Sequence, residues 1–173
     1  KGVVPGRLWK RLYKNDNWYE GDTLNYAIGQ GYLLVTPIQI LNMTSIIASR
    51  GMSVKPFIVR RIGNTPVAGA KQKNVGLRER TIDIVKRGLV KVVNSENGTG
   101  KRARVEGGTI VAGKTGTAEN PQGRTHAWFT GFAPSDDPKI CLVVFLEHGG
   151  KGGLEPSKIA NNIFEAAKSK GYI

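Results

Sequence analysis

The segment GTIVAGKTGTA, residues 108–118, constrains the fold more than any other stretch because it fits two patterns that exclude each other. Gly108, four residues and then Gly113-Lys114-Thr115 match the phosphate-binding loop of nucleotide-binding proteins, which needs a strand before it and a helix after it. Lys114-Thr115-Gly116 also matches K-T-G, a motif carried on a strand. The residues around the motif distinguish the two.

These surroundings favour the strand. The residues between the two glycines are Thr-Ile-Val-Ala, which suit an extended chain better than a tight loop. Gly116 and Pro121 follow so closely that a helix after the motif is unfavourable. On a strand, Lys114 and Gly116 face one side and Thr115 faces the other. The amide of Thr117 is then available as an oxyanion donor in a cleft.

Composition narrows the class of protein. The 173 residues, 39% of them hydrophobic, are enough for one globular domain with a core. A net charge of +13 favours anionic partners such as nucleic acid, an acidic membrane surface or an acidic polymer, or serves solubility alone. The single cysteine, Cys141, argues against a thiolate metal site. We find no apolar run long enough for a transmembrane helix and no signal peptide, and we expect a piece of a longer protein.

Three helices are predicted. Residues 36–39, Thr-Pro-Ile-Gln, combine an N-cap, proline at the first helical position and glutamine at N3, and Gly51 supplies a stop. They predict a well-buried helix over 37–50. Apolar residues at helical spacing predict a second helix over 78–94, and Pro156 begins a final one whose apolar stripe lies on a sheet.

The rest of the chain is predicted to be strands and loops. Strands are expected at three places: 109–111 leading into K-T-G, 126–132, and 140–147, the last two as an antiparallel hairpin. Residues 1–35 show few periodic apolar positions and are predicted to be irregular, with a tight turn at Gly29-Gln30-Gly31. Residues 52–63 are expected to be extended and 64–76 to be a polar loop.

Four blocks of sequence carry a resemblance to a known family: WYEGDTLNYAIGQGYLLVTPIQ at 18–39, AGKTGTAE at 112–119, HAWFTGFAP at 126–134 and VVFLEHGGKGG at 143–153. In these blocks, their order and their spacing, the chain resembles the class B penicillin-binding proteins, most closely their elongation-type group. The resemblance implies an α+β fold with an antiparallel sheet packed by helices. This would be a partial β-lactamase/transpeptidase-like fold that lacks its N-terminal strands and nucleophile helix. Residues 1–173 are then the C-terminal portion of a single transpeptidase domain.

The resemblance also implies an activity. Such proteins are serine D,D-transpeptidases that cross-link peptidoglycan stem peptides and are acylated by β-lactam antibiotics. They act at the outer face of the cytoplasmic membrane, and their anchor would lie outside this chain. The implied partners are the stem peptide, β-lactams, the upstream segment of the same protein and a glycan polymerase of the elongation complex. We expect no cofactor, no metal ion and no nucleic-acid partner.

The family pattern assigns roles to five consecutive residues. Lys114 assists proton transfer and holds a substrate carboxylate, and the Thr117 amide completes the oxyanion hole; these two are the expected catalytic residues. The expected substrate-binding set is Lys114, Thr115, Gly116, Thr117 and Ala118. Within this set, Gly116 has no side chain and so lets the substrate approach the strand backbone.

One departure from the family pattern is large. The family also needs S-x-x-K, which supplies the nucleophile, and S-x-N. No serine in this chain is followed by lysine three residues later. Ser95-Glu96-Asn97 fits S-x-N but comes directly after the second predicted helix, where it is expected to form a C-terminal turn leading to Gly98. We therefore expect that the chain alone forms no acyl-enzyme, and that it folds properly only with the upstream segment, because three strands would leave a bare sheet edge.

Several other polar residues are expected to be structural. His126 and His148 have no Asp, Glu or Cys partners at zinc spacing. Asp22 and Gln30 are assigned to the support of glycine-rich turns.

Alternatives to the transpeptidase stay open. Within the same fold, the chain would belong to a β-lactam sensor or a β-lactamase-like acylase. In another class, the +13 charge and Lys114 would serve a nucleotide- or nucleic-acid-binding protein. An inert docking surface is a further option. Arg102 and Arg104 either line the cleft or are ordinary solvated loop charges.

Overall fold

Five α-helices and one three-stranded antiparallel sheet dominate the computed structural model, which describes residues 1–67, 69 and 71–173. The helices are α1 Arg7–Lys14, α2 Glu20–Ala27, α3 Pro37–Ala48, α4 Glu79–Asn94 and α5 Glu155–Ser169, with a 3₁₀ turn at Lys101–Ala103. The strands are β1 Met52–Val54, β2 Arg61–Ile62, β3 Thr65–Pro66, β4 Gln72–Asn74, β5 Ala112–Ala118, β6 His126–Ala133 and β7 Ile140–Leu146. The predicted α+β class is confirmed.

The main sheet has the strand order β5-β6-β7, with both pairs antiparallel. The β6–β7 hairpin is where the sequence predicts it. The K-T-G segment lies inside β5, but the strand begins at Ala112, so the prediction that residues 109–111 are strand is wrong. The order leaves β5 and β7 as the two edge strands, and we call the side of β5 turned away from β6 its outer edge.

One face of the sheet carries the larger core. Phe129 of β6 and Phe164 of α5 are fully buried there. Phe129 is directly opposite Val144 of β7, so both side chains lie on the face that α5 covers. The apolar stripe predicted for the last helix consists of Ile159, Ile163, Phe164 and Ala167. Phe164 and Ala167 are buried, whereas Ile163 is 42% exposed.

The other face packs against α3 and α4. A smaller cluster of Ala48, Ala112 and Phe132 fills part of this interface. Next to it, the hydroxyls of Thr44 and Thr130 lie 2.8 Å apart, and Thr130 Oγ1 donates to the Leu142 carbonyl at 3.0 Å. These hydroxyls fix α3 to the strand that pairs with β5.

The predicted signals of α3 are present. Thr36 and Gln39 form a reciprocal capping box with Pro37 at the first helical position. Gly51 follows with φ of +93° and donates to the Ile46 carbonyl at 2.7 Å. The helix is less buried than expected, because only Thr44 and Ala48 are fully buried.

The prediction that residues 1–35 are irregular is wrong. They contain α1 and α2, and the expected turn at 29–31 follows α2. Neither helix was recognisable from a buried apolar stripe. Leu8 and Leu12 of α1 are 69% and 68% exposed, and α2 has no buried residue.

The segment between α3 and α4 forms two short antiparallel pairs, β1–β4 and β2–β3. It is extended, as predicted for 52–63. The predicted loop over 64–76 contains β3 and β4, and its residues Ala68 and Ala70 lie outside the described part of the chain. The helix predicted over 78–94 is confirmed as α4.

In the described ranges, we find no helix long and apolar enough to cross a membrane.

Candidate active site

A groove of about 890 Å³ opens on the sheet face that α3 and α4 flank. The two helices line it with mostly apolar side chains: Ile40, Met43, Thr44, Ile47, Val85 and Leu89. The K-T-G strand and Trp128 of β6 line it as well, together with residues 28–31 and 33–35. The groove therefore presents a polar strand edge on one side and apolar surface on the other.

The K-T-G strand is oriented in the groove as the alternation predicts. Lys114 is directly opposite Thr130 and Gly116 opposite Trp128, so Lys114 and Gly116 face the α3 side of the sheet. Thr115, opposite Phe129, faces the α5 side. A side chain at 116 would crowd Trp128, whose Cβ would lie 3.2 Å from the added Cβ. Glycine at this position leaves the strand surface accessible from the groove.

The outer edge of β5 carries backbone groups that point away from β6. The Thr117 carbonyl accepts a hydrogen bond from Gln30 Nε2 at 3.2 Å, so it faces this outer edge. In an antiparallel strand, the N–H and C=O of one residue point to the same neighbour, so the Thr117 N–H also faces outward. Lys114 Nζ donates to the Thr115 carbonyl at 2.6 Å, which places the ammonium at the same edge.

The K-T-G side chains on the α5 side are held by two loops. Thr115 Oγ1 lies 2.8 Å from Thr99 Oγ1. Thr117 Oγ1 accepts a hydrogen bond from the Gly152 amide at 3.3 Å, and Ser157 donates to the Gly152 carbonyl at 3.0 Å. The glycine-rich loop 147–154 thereby links the K-T-G strand to the first turn of α5.

The sequence assigned Gln30 to the support of a glycine-rich turn, which describes its backbone but not the contacts of its side chain. Its backbone does form the predicted turn, because Gln30 N donates to Asn25 O and Gly29 N to Tyr26 O, the pattern that ends a helix at a left-handed glycine. Its side chain, however, bonds to β5 at Thr117 and Glu119. These partners are more than eighty residues away in sequence, so no local pattern could reveal them.

Asp22 supports this region through Lys10. The Lys10 ammonium is 3% exposed and lies 2.7 Å from the Asp22 carboxylate and 3.1 Å from that of Asp16. The hydrogen bond from Lys10 lowers the pKa of Asp22, and a second one from the Tyr19 amide lowers it further. The same carboxylates raise the pKa of Lys10. The result is an ionic link between α1 and the start of α2, where sequence reasoning expected support of glycine-rich turns.

His126 is the first residue of β6, and His148 lies in the turn after β7. His126 Nδ1 accepts a hydrogen bond from the His148 amide at 3.0 Å, and the two rings are 5.1 Å apart. A search over the described residues finds no group of three or more His, Cys, Asp or Glu side chains arranged to hold a metal. His126 also packs edge-on against Phe145.

The S-x-N-like triplet and its neighbours serve the end of α4. Ser95 is the C-cap residue and accepts from the Gly98 amide at 3.1 Å, which confirms the predicted turn. The Arg104 guanidinium donates to the carbonyls of Val93, Asn94 and Ser95 at 2.7–2.9 Å. Arg104 therefore caps a helix instead of lining the groove.

The Cys141 thiol is a weak nucleophile in this fold. It lies on β7 between the sheet and α3, and burial raises the pKa of its thiol to about 12. A thiol held in its neutral form is a poor nucleophile.

The phosphate-loop alternative is excluded by the backbone. Lys114 and Thr115 lie in the middle of a seven-residue strand, whereas a phosphate loop needs them at the first turn of a helix. The amides of β5 are in a sheet and cannot converge on one phosphate group.

Comparison with known proteins agrees with this strand geometry. The family described as penicillin binding protein transpeptidase domain matches residues 9–167. The chain belongs to this family. Its curated relatives include the peptidoglycan D,D-transpeptidase MrdA of Haemophilus influenzae, 32% identical over 94% of this chain and 28% of that protein. The chain thus spans under a third of the relative's length.

Solved structures of this penicillin-binding family show the same fold. Pseudomonas aeruginosa PBP2 in complex with WCK 5153 aligns with a TM-score of 0.84 and 34% identity, over 95% of this chain and 36% of that one. Helicobacter pylori PBP2 in its complex with MreC also aligns with a TM-score of 0.84, at 32% identity over 99% of this chain and 32% of that one. The expected elongation-type resemblance is confirmed by these PBP2 relatives.

Proposed function

We propose that this chain supplies the K-T-G strand of a serine D,D-transpeptidase that cross-links peptidoglycan stem peptides and is acylated by β-lactams. The observation that carries the proposal is the outer edge of β5, where the Thr117 amide and the Lys114 ammonium face outward together beside an apolar groove. Membership of the penicillin-binding transpeptidase family supports it.

The chemistry assigned to this edge follows from its donors. A serine hydroxyl attacks the carbonyl of the penultimate D-Ala, and the carbonyl oxygen becomes an oxyanion that accepts a hydrogen bond from Thr117 N–H. The amide bond to the terminal D-Ala then breaks, its nitrogen takes up the proton that the serine lost, and free D-Ala leaves. An amine of a second stem peptide later displaces the serine and takes the acyl group. Lys114 places positive charge next to the substrate carboxylate and assists proton transfer. Thr115, Gly116 and Ala118 line the bound peptide.

The nucleophile in this proposal lies on an upstream segment that occupies the groove. The groove walls include two exposed apolar side chains, Met43 at 55% and Val85 at 39%. An apolar surface of this extent next to a reactive edge is typical of one that another element covers. The H. influenzae relative is more than three times as long as this chain, so it has ample sequence for such a segment. Residues 1–173 are then the C-terminal portion of one transpeptidase domain.

The setting of the reaction follows from the same proposal. Peptidoglycan lies outside the cytoplasmic membrane, so the domain faces the periplasm or cell exterior and an anchor elsewhere in the protein holds it there. The H. pylori relative is in complex with MreC, and another structural relative belongs to a peptidoglycan synthase complex that coordinates polymerization and crosslinking, so MreC and a glycan polymerase are the partners to test.

Labelling with a fluorescent penicillin tests the proposal. We expect the complete protein to label covalently, the isolated 18.8 kDa chain to stay unlabelled, and Lys114→Ala in the complete protein to label at least 100-fold more slowly. Lys158→Ala, which removes the same charge from the exposed side of α5, is the matched control and should label normally. A complete protein that does not label, or a Lys114→Ala variant that labels as fast as wild type, would contradict the assignment.

A further inference from the structure

The Gln30 carboxamide makes two hydrogen bonds to the outer edge of β5. Its Nε2 donates to the Thr117 carbonyl and its Oε1 accepts from the Glu119 amide, both at 3.2 Å. In a parallel sheet, one residue of a neighbouring strand makes the same two bonds, donating to the carbonyl of one residue of the edge strand and accepting from the amide two residues further on. The carboxamide presents one of its N–H groups and its carbonyl oxygen to the same edge, as a strand residue does with its backbone groups, so it occupies the place of a further strand at this point.

This contact comes where β5 loses its other support. The last β5–β6 pair is Ala118 with His126, so Glu119 lies beyond the ladder and Thr117 lies one residue from its end. Strand ends fray because few hydrogen bonds hold them. The two bonds from Gln30 bracket Ala118 and restrain the end of the strand, including the orientation of the Thr117 peptide unit.

Gln30 itself is held firmly. Gly29 and Gly31 on either side have φ of +74° and +71°, and the Gln30 amide donates to Asn25 O at 2.9 Å, closing the end of α2. At the other end of α2, the Asp22 carboxylate bonds both the Tyr19 amide and the buried Lys10 ammonium. Both ends of this short helix are therefore fixed, and the side chain projects from a rigid base.

We propose that Gln30 is a positioning residue that holds the Thr117 amide in line with the acyl carbonyl and ends the peptide-binding edge of β5 at Thr117. The inference rests on the proposed transpeptidase function, in which Thr117 N–H stabilises the oxyanion. An extended ligand can pair with β5 only up to the Thr117 amide. The next two groups on the outer edge, the Thr117 carbonyl and the Glu119 amide, are already bonded to Gln30. The Gln30 carboxamide thereby sets where the reacting carbonyl comes to rest.

The test measures acylation of the complete protein by fluorescent penicillin. Gln30→Ala should lower the acylation rate constant about 10- to 100-fold, while the final fraction of labelled protein stays at the wild-type level. A purely structural role would instead lower the labelled fraction and the melting temperature. Gln72→Ala, the same change at an exposed glutamine of β4, should behave as wild type.

A second variant keeps the shape of the side chain and replaces its NH2 group with a carboxyl oxygen. In Gln30→Glu, a carboxylate still accepts from the Glu119 amide but cannot donate to the Thr117 carbonyl. Protonation restores the donor, so its rate relative to wild type should rise as the pH falls from about 8 toward 5, approaching the carboxyl pKa. Because Gln and Glu have nearly the same size, this variant tests the positioning role even if Gln30→Ala does not fold.

The outcomes separate the two proposals. If the wild-type complete protein does not label, the transpeptidase assignment fails and takes this inference with it. If wild type labels and both Gln30 variants match its rate constant at every pH, the positioning role is refuted while the transpeptidase assignment stands. A slow Gln30→Glu variant whose relative rate does not respond to pH also refutes it.

Discussion

Alanine at position 152 would place a methyl group against two backbone carbonyl oxygens. A Cβ built on Gly152 lies 2.2 Å from the Gly116 oxygen and 2.3 Å from the Trp128 oxygen, whereas real Cβ atoms essentially never come within 3.0 Å. Both oxygens belong to paired strands and cannot rotate away. The loop must therefore retreat by about 1 Å, carrying the Gly152 amide away from Thr117 Oγ1.

The expected cost comes from these two effects. Overpacking of this kind destabilises a fold by about 1–3 kcal/mol. The lost hydrogen bond to Thr117 is a neutral, partly buried one, worth about 1 kcal/mol. If the K-T-G strand follows the loop, a displacement of about 1 Å at Thr117 slows acylation by up to about 100-fold.

Thermal unfolding and penicillin labelling of the complete protein measure both effects. Gly152→Ala should melt several degrees below wild type and label more slowly. Gly88→Ala is the matched control: it lies inside α4 with no heavy atom within 4 Å of the added Cβ, and should stabilise the helix by about 0.5–1 kcal/mol. An unchanged melting temperature and labelling rate for Gly152→Ala would refute the argument from close packing.

Three further predictions follow from the core, the ion pair and the thiol. Phe164→Ala should destabilise the domain by about 3–5 kcal/mol in denaturant unfolding, because the ring is fully buried against the sheet. Since Lys10 lowers the folded-state pKa of Asp22, the ion pair stabilises the fold above the ordinary carboxyl pKa of about 3.9 and is lost as the pH falls through the lowered value. Melting curves at acid pH should therefore show a smaller pH dependence for Asp22→Asn than for wild type. Cys141 should resist iodoacetamide at pH 8 in the folded protein and react on unfolding, because burial raises the pKa of its thiol to about 12.

Sequence patterns predicted those elements whose hydrophobic spacing matches a buried face. The α4 and α5 helices and the β6–β7 hairpin each bury part of their periodic apolar residues, and all are found close to their predicted bounds. The α3 boundaries were predictable for a different reason, since a capping box and a following glycine are local chemistry. In each case the deciding information lies within a few residues.

Helices α1 and α2 were missed because their stability depends on contacts that are not periodic. The link between them is the Lys10 ammonium between two carboxylates, and ion pairing of this kind leaves no apolar stripe in the sequence. Gln30 was misassigned and Arg104 left unresolved for a related reason: their side chains bond backbone groups of other elements, and any long polar residue can do so. The K-T-G strand could be predicted, but which groups hold its outer edge could not.

The carboxamide at the end of β5 also bears on how inhibitors of such a site can be extended. A compound that grows along the strand past Thr117 toward Glu119 replaces two hydrogen bonds that the protein already makes, so the exchange brings little affinity. The apolar surface of Met43 and Val85 is not available for extension either, because in the proposed complete protein the upstream segment covers it. An inhibitor that pairs with β5 therefore gains contacts along the strand only on the Lys114 side of Thr117.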